Sequence, residues 1–479
     1  MNHKMILYLT ARIIGAVGLL LLLPFIVAAA CGEWKCLAAF GGTAAFMVIL
    51  GVLFSFKKPE NKAVYAREGM SVVACSWLII SVLGALPFYL SGEIPHFADA
   101  VFETASGLTT TGSTILNNIE AMSHSCLFWR AFTHFIGGMG ILIFVLAVMP
   151  QSDTRTMHLV RAESPGPTAG KLVAKMSLSV RILYCIYVAL TVLEMILLLC
   201  GGMPFFDAIT TAFATAGTGG FSIRAGSIAD YNSAYVDFIV TLFMGLFSLN
   251  FTLYFLVLSG RIKQALANEE LHAFLGITLT SIVLITVNIT KIYGSILTAL
   301  RYSSFQVLSI ISTAGFSTAD YTEWPYFSQV ILLLLMFIGG CSGSTGGGLK
   351  VMRVIVLCKS AFKVVRCTLS PRSVVVIKSD GKALDKEVVH GIGNYFIVYM
   401  LLITASILLL SLDGKDILTT TSSVITCINN VGPGFALVGP SGNFAEFSTW
   451  AKYLLSLDML LGRLEIYPLL VLFTLRKKY

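Results

Sequence analysis

Thr109-Thr110-Thr111-Gly112-Ser113-Thr114 lies between apolar stretches, and three other places carry the same small signal: Thr218-Gly219-Gly220, Thr313-Ala314-Gly315 and Asn430-Val431-Gly432. Each follows a run of small and β-branched residues too short to cross a bilayer, and each is flanked on both sides by apolar runs that are long enough. A chain that enters the membrane four times without crossing it points to a pore.

The composition sets the same scene. A mean hydropathy of +0.84, 56% hydrophobic and 12% charged residues leave too little polar surface for a soluble chain of 479 residues, which predicts an all-α polytopic membrane protein. The first apolar run, around 6–30, is too long for a signal-peptide core and reads as a retained helix. The ten cysteines are scattered, mostly inside apolar runs, and imply no disulfide framework. Cys31 and Cys36 flank an external turn, where a bridge is one reading and two unpaired thiols the favoured one.

Ten spans are expected, near 6–30, 36–56, 69–91, 127–149, 177–201, 235–260, 270–291, 326–360, 387–412 and 449–475. Alternate connections are basic: Lys57, Lys58, Lys62 and Arg67; Arg155, Arg161, Lys171, Lys175 and Arg181; Arg261 and Lys263; and a fourth running from Lys359 to Lys386. The opposite connections carry Glu93, Asp99, Glu120, Asp230, Asp320, Glu323 and Glu446. The positive-inside rule makes the basic side, with both termini, cytoplasmic; the net charge of +8 is then a topology signal and calls for no nucleic-acid partner.

After two N-terminal helices (1–66), the order spanning helix, short helix, turn, spanning helix recurs four times, with units at 67–160, 161–266, 267–380 and 381–479. The turn glycines are 108, 95 and 117 residues apart, and Phe135-Ile136-Gly137-Gly138 has its counterpart in Phe337-Ile338-Gly339-Gly340. The fourth unit diverges most, with Asn430 in place of Thr and Pro433 after the glycine. A small cation such as potassium enters a narrow pore only where oxygens replace its water shell, and backbone carbonyls become free for this where the chain is not helical. Glycine permits the positive φ that turns carbonyls toward an axis, the preceding Thr can add a hydroxyl, and each short helix aims its negative C-terminal end at the path. One such turn reads as helix packing on small residues. Four in register favour the pore.

These motifs resemble the TrkH/KtrB/HKT superfamily of potassium transporters, and nearly the whole chain takes part. Two extra N-terminal helices, Thr109 to Thr114, the string Gly339-Gly340-Cys341-Ser342-Gly343-Ser344-Thr345-Gly346-Gly347-Gly348-Leu349-Lys350, and Leu461-Gly462-Arg463-Leu464-Glu465 are similar to the bacterial TrkH branch. The resemblance implies four covalently linked helix–pore-loop–helix units around one central pore. Thr110, Thr111, Gly112, Thr218, Gly219, Gly220, Thr313, Ala314, Gly315, Asn430, Val431 and Gly432 would form the selectivity filter, and Gly112 in the first unit implies potassium preference. It also implies a dimer with one pore per chain in the bacterial inner membrane, docked on a cytosolic ring of nucleotide-binding RCK subunits of the TrkA type.

The string 339–348 holds six glycines inside an apolar run, so it would interrupt a helix and expose backbone within the membrane, tolerable where it lines a wet cavity. It lacks the Lys-Ser/Thr of a phosphate-binding loop. A kinked helix on small residues is the bland reading; the resemblance implies a movable loop beneath the filter, with Gly339, Gly340, Ser342, Gly343, Ser344, Thr345, Gly346, Gly347, Gly348 and Lys350 as gate residues. Arg463 in mid-span would cost roughly 2.5–3.5 kcal/mol to insert. It is expected to face the pore, repelling cations or pairing with the glycine-rich loop, against a salt bridge to another helix.

Glu103 and Asp207 are placed near the starts of two short helices, offsetting their dipoles. Glu194 is either a coupling-proton site or an interhelical partner. His134 and His158 lack metal-ligand spacing and read as packing or interfacial groups. No HExxH, GxSxG or GxGxxG motif gives an enzyme reading, and no organic cofactor is expected. The segment 359–386, with Ser370-Pro371-Arg372 and Ser379-Asp380-Gly381-Lys382 as turn signals, suits anionic lipid and partner docking. Two mechanisms stay open. A gated conductor would use the membrane potential, about 2.3 kcal/mol per charge per 100 mV or roughly fifty-fold accumulation, whereas a proton- or sodium-coupled symporter would need a titrating or alternating element.

Overall fold

The computed structural model describes residues 2–57, 59–61, 64–140 and 176–473. Basic residues named above at Lys58, Lys62, Arg155, Arg161, Lys171 and Lys175, together with His158 and the ends of the spans 127–149 and 449–475, lie outside the described residues.

Among the described residues, six helical stretches are long and apolar enough to cross a membrane: His3–Cys31, Trp34–Ser55, Ala66–Leu90, Val180–Cys200, Glu269–Tyr293 and Lys386–Asp413. They match six of the ten expected spans. The first bends at Leu21, where Pro24 removes a donor from the next turn. It then ends at Gly32, whose φ of 72° suits a left-handed cap. Its return helix packs on it closely because Gly51 faces Gly15, and a Cβ on Gly51 would come closer than 3.0 Å to the Gly15 Cα.

The other four expected spans follow the four turns, and none is an uninterrupted helix across its expected length. Their first halves are similar in length: His124–Met139, Ala234–Phe247, Tyr326–Ile338 and Thr449–Arg463, of 16, 14, 13 and 15 residues. The second unit's helix breaks before Phe251–Leu258 at 91°. The Asn250 side chain accepts from the Thr252 N–H there and starts the next helix, so no glycine or proline is needed. The third resumes only at Val351–Leu369, after the whole glycine-rich string. The fourth breaks at Leu464–Ile466, where Glu465 and Ile466 have φ of 54° and 66°.

The four short helices, Phe97–Leu108, Phe205–Gly217, Ile296–Ile311 and Ile417–Ile428, have 12, 13, 16 and 12 residues. Twelve residues rise about 18 Å, well short of a hydrocarbon core of about 30 Å. Small side chains let them insert among the other helices. In the first, every residue from Ala100 to Leu108 is buried. All ten cysteines are free thiols; Cys31 is exposed, and Cys36 is buried with its sulfur 3.2 Å from the Ser123 hydroxyl.

Candidate functional site: a ring of four turns over a glycine-rich loop

All four short helices end alike. The N–H groups of Thr111, Gly219, Ala314 and Val431 donate to carbonyls five residues back, at Ser106, Ala214, Ser309 and Thr426, over 2.8–2.9 Å. The preceding N–H groups, of Thr110, Thr218, Thr313 and Asn430, donate three residues back. This paired closure needs a left-handed residue, ordinarily glycine. Here it is Thr110, Thr218, Thr313 and Asn430, with φ of 55°, 54°, 60° and 54°. The turn glycines follow at φ of 83°, 75°, 77° and 103° for Gly112, Gly220, Gly315 and Gly432.

These turns meet. A Cβ on Gly112 would come closer than 3.0 Å to the Gly219 carbonyl oxygen, one on Gly220 to that of Ala314, one on Gly315 to that of Val431, and one on Gly432 to that of Thr111. Each glycine therefore backs onto the middle carbonyl of the next turn, and the series returns to its start. Four turns in chain order close one ring of backbone oxygens. Glycine is required by contact as well as by φ.

Side chains lock the strands leaving the ring. Glu103 accepts from the Ile115 N–H at 3.0 Å and from the Thr114 hydroxyl, and pairs with buried Arg130 at 2.5 Å. Arg130 in turn donates to the Ser222 carbonyl of the second strand at 2.7 Å. The Phe221 N–H donates to His134 Nε2 at 3.2 Å, while His134 Nδ1 lies 2.8 Å from the Gly107 carbonyl, an arrangement of a neutral ring protonated on Nδ1. The Ser309 hydroxyl donates to the Phe316 carbonyl and Ser422 accepts from the Phe435 N–H. Outside the ring lies a vestibule of about 150 Å³, lined by all four turn glycines. Arg130 and Arg224 also reach it, but Glu103 and Asp207 pair with them.

On the other side, the glycine-rich string is a closed loop. The N–H groups of Leu349, Lys350 and Val351 donate to the carbonyls of Phe337, Ile338 and Gly340, pinching its two ends together. Its tip presses on the undersides of the turns: the Gly347 N–H donates to Thr313 Oγ1 at 2.7 Å, and a Cβ on Gly346 would come closer than 3.0 Å to the Ser312 carbonyl. Lys350 is buried and donates within the loop, to the carbonyl of Gly346. Arg463 donates to the Thr345 carbonyl at 2.6 Å and to the carbonyls of Gly137 and Gly138, thereby stapling the loop to the end of His124–Met139. Only about 30 Å³ of free space remains here, bordered by Gly346, Gly347, Gly348, Lys350 and Arg463, room for roughly one or two waters. The arrangement presents a ring of oxygens on one side and a closely packed loop bearing Lys350, beside Arg463, on the other.

Residues 38–478 match the family model described as "TrkH: Cation transport protein". The chain belongs to the TrkH family. It is 38% identical over 441 residues to the Trk system potassium uptake protein TrkH of Salmonella typhimurium, covering 90% of this chain and 91% of the relative. It is 32% identical to Trk system potassium uptake protein TrkG of Escherichia coli, with 98% of each covered. The crystal structure of the potassium transporter TrkH from Vibrio parahaemolyticus superposes with a TM-score of 0.89 at 30% identity, covering 99% of both chains. Membership makes this TrkH-family chain a multi-pass membrane transporter and not an enzyme.

Against this TrkH architecture several sequence expectations change. Glu103 sits in mid-helix, not near the helix start, so its task is the Arg130 pair and the strand N–H groups; Asp207 does lie in its helix's first turn. Arg463 closes the helix Thr449–Arg463 instead of lying within an unbroken spanning helix, and binds carbonyls of the loop. Glu465 lies beyond that helix and pairs with Arg353 at 2.5 Å, while Asp458 accepts from Ser406. His134 proves to be a strand anchor. Its signal in sequence is slight, since a lone histidine in an apolar helix reads as packing. Glu270 was also missed. Its carboxylate accepts from the N–H groups of Ser342 and Met352 at opposite ends of the loop, but in sequence it is one acid at a helix start.

Proposed function

We propose that this chain is the pore of a potassium uptake system in the bacterial inner membrane, with Thr110 to Gly112, Thr218 to Gly220, Thr313 to Gly315 and Asn430 to Gly432 as its selectivity filter. The observation that carries the reading is the closed series of glycine-to-carbonyl contacts among the four turns. Oxygens held in such a ring can replace a potassium ion's hydration without reorganising. The names of the relatives support potassium as the transported ion. The four units at 67–160, 161–266, 267–380 and 381–479 would each supply one quarter of the ring.

The loop 339–350 would then be the gate, drawn here against the undersides of the turns, with Lys350 and Arg463 adding positive charge that opposes a cation's exit. Both termini and the basic connections would face the cytoplasm. A TrkA-type nucleotide-binding ring would dock there on Val351–Leu369 and the residues that follow it, where Phe362, Leu369 and Val374 are exposed beside Arg366 and Arg372. A homodimer with one pore per chain completes the assembly.

Purified protein in liposomes tests the filter. Gly315→Ala places a methyl against the Val431 carbonyl and should lower the potassium-to-sodium permeability ratio at least about tenfold, one carbonyl ligand's worth of about 1.4 kcal/mol. An unchanged ratio in folded protein would remove the assignment. The reversal potential separates conduction from symport: following potassium alone supports a conductor, and following a proton or sodium gradient supports coupling.

A further inference from the structure

The glycine-rich loop is held by one carboxylate that touches both of its ends. Glu270, buried in the first turn of Glu269–Tyr293, accepts through Oε1 from the Ser342 N–H at 2.7 Å and from the Met352 N–H at 3.1 Å. Ser342 enters the loop. Met352 lies in the first turn of Val351–Leu369, where N–H groups have no helical acceptor. Both donors are buried bonds to a charged acceptor, stronger than bonds between neutral groups. Neither N–H could leave Glu270 without finding another acceptor inside the protein.

The same helix start is gripped from the basic connection. Lys378–Ser379 pairs with Lys382–Ala383, and the linking residues Asp380 and Gly381 have φ of 49° and 76°, the two-residue turn that suits a tight hairpin. The Asp380 carboxylate accepts from the Glu269 N–H at 2.8 Å and from the Asn268 side-chain amide at 3.1 Å, while Asn268 Oδ1 caps the helix by accepting from the Leu271 N–H. Lys359 joins the layers, donating to the Lys378 carbonyl at 2.7 Å and pairing with Glu269. Asp380 thus caps the residue that immediately precedes the clasp.

We propose that Glu270 is the clasp of the glycine-rich loop and that the hairpin, through Asp380 and the helix start at Asn268–Glu269, sets where that clasp stands. Glu270 is a positioning residue: it acts by holding Ser342 and Met352 together. A partner that pulled the hairpin from the helix would remove the cap, shift Glu270 and loosen both ends of the loop at once. The inference rests on the reading of 339–350 as the gate.

Hydrogen–deuterium exchange on full-length protein in detergent, read on the peptide 339–352, tests the clasp without using flux. Glu270→Ala should speed exchange there about tenfold or more, the population change matched to one lost charged hydrogen bond, and Glu270→Gln, which keeps an uncharged acceptor, should do so less. Unchanged exchange in both variants overturns the clasp. Asp380→Ala should speed exchange in 339–352 as well as at 266–272; a change confined to 266–272 overturns the link. Adding Asp380→Ala to Glu270→Ala should give no further increase, whereas multiplying effects would show independent sites and overturn it too. Potassium flux in liposomes then separates the two readings. Faster exchange with raised flux supports both, and faster exchange with unaltered flux keeps the clasp while refuting the loop as gate.

Discussion

Threonine in left-handed backbone is costly, about 1–2 kcal/mol, because Cβ crowds the following carbonyl. Thr110, Thr218 and Thr313 adopt it together, as does Asn430. The cost is offset by two hydrogen bonds at each helix end and by what the side chains reach: Thr313 accepts from the loop, and Thr111 accepts from the Asn430 amide across the ring at 2.9 Å. The glycines were legible in sequence, since small residues repeated at a fixed place in four units invite the reading. The left-handed threonines were not, because a β-branched residue argues against that backbone until its neighbours are seen. Arg130 is equally opaque in sequence, being one arginine in an apolar helix. Its buried pair with Glu103 predicts that Arg130→Ala destabilises the protein by about 3–5 kcal/mol, since the buried carboxylate would lose its charge partner. Thermal unfolding in detergent checks this, and loss under about 1 kcal/mol would contradict the pairing's weight.

Breaks in the helices matter as much as the helices. The glycine-rich interruption in the third unit was visible as six glycines in an apolar run, but the break at Ser248–Asn250 contains none and is made by an Asn cap. That break also gives the loop its seat, because the Cys341 N–H donates to the Ser248 carbonyl at 2.9 Å and the Thr345 hydroxyl to that of Phe247 at 3.1 Å. Irregular backbone inside a membrane must find partners in protein, and here two broken segments satisfy each other. Arg463 joins the loop to the end of His124–Met139, at Gly137 and Gly138. Arg463→Ala should therefore raise potassium flux in liposomes severalfold, as the loop loses its donors at Thr345 and a positive charge leaves the path. Abolished flux in well-folded protein would argue that Arg463 supports conduction instead.

The whole molecule is a ring stitched across units. On the vestibule side of the ring, Asp320 of the third unit accepts from Ser441 of the fourth at 2.6 Å, and from the Thr322 hydroxyl and N–H. Burial would raise this carboxyl, but those hydrogen bonds outweigh it and hold it below its ordinary value of 3.8. A depressed carboxylate stabilises the fold above the unfolded value and loses that contribution as pH falls through the folded one. The melting-temperature difference between the native chain and Asp320→Asn should thus stay constant from neutral pH to about pH 4, and shrink below it. On the basic side, exposed Arg366 and Arg372 predict that reversing both to Glu weakens capture of a TrkA-type ring at least about tenfold, through lost long-range attraction; unaffected co-purification at low salt would move the docking surface elsewhere. The membrane setting, the four short helices and the glycine at each turn were legible in the chain alone, because hydropathy, element length and conformational freedom are local properties written in adjacent residues. Which carbonyl each glycine abuts, where two further spans break, and that Glu103, His134, Glu270 and Arg463 serve backbone groups far away in the chain emerged with the folded molecule alone. Those partners are chosen by burial, and burial exists only once distant segments have closed around them.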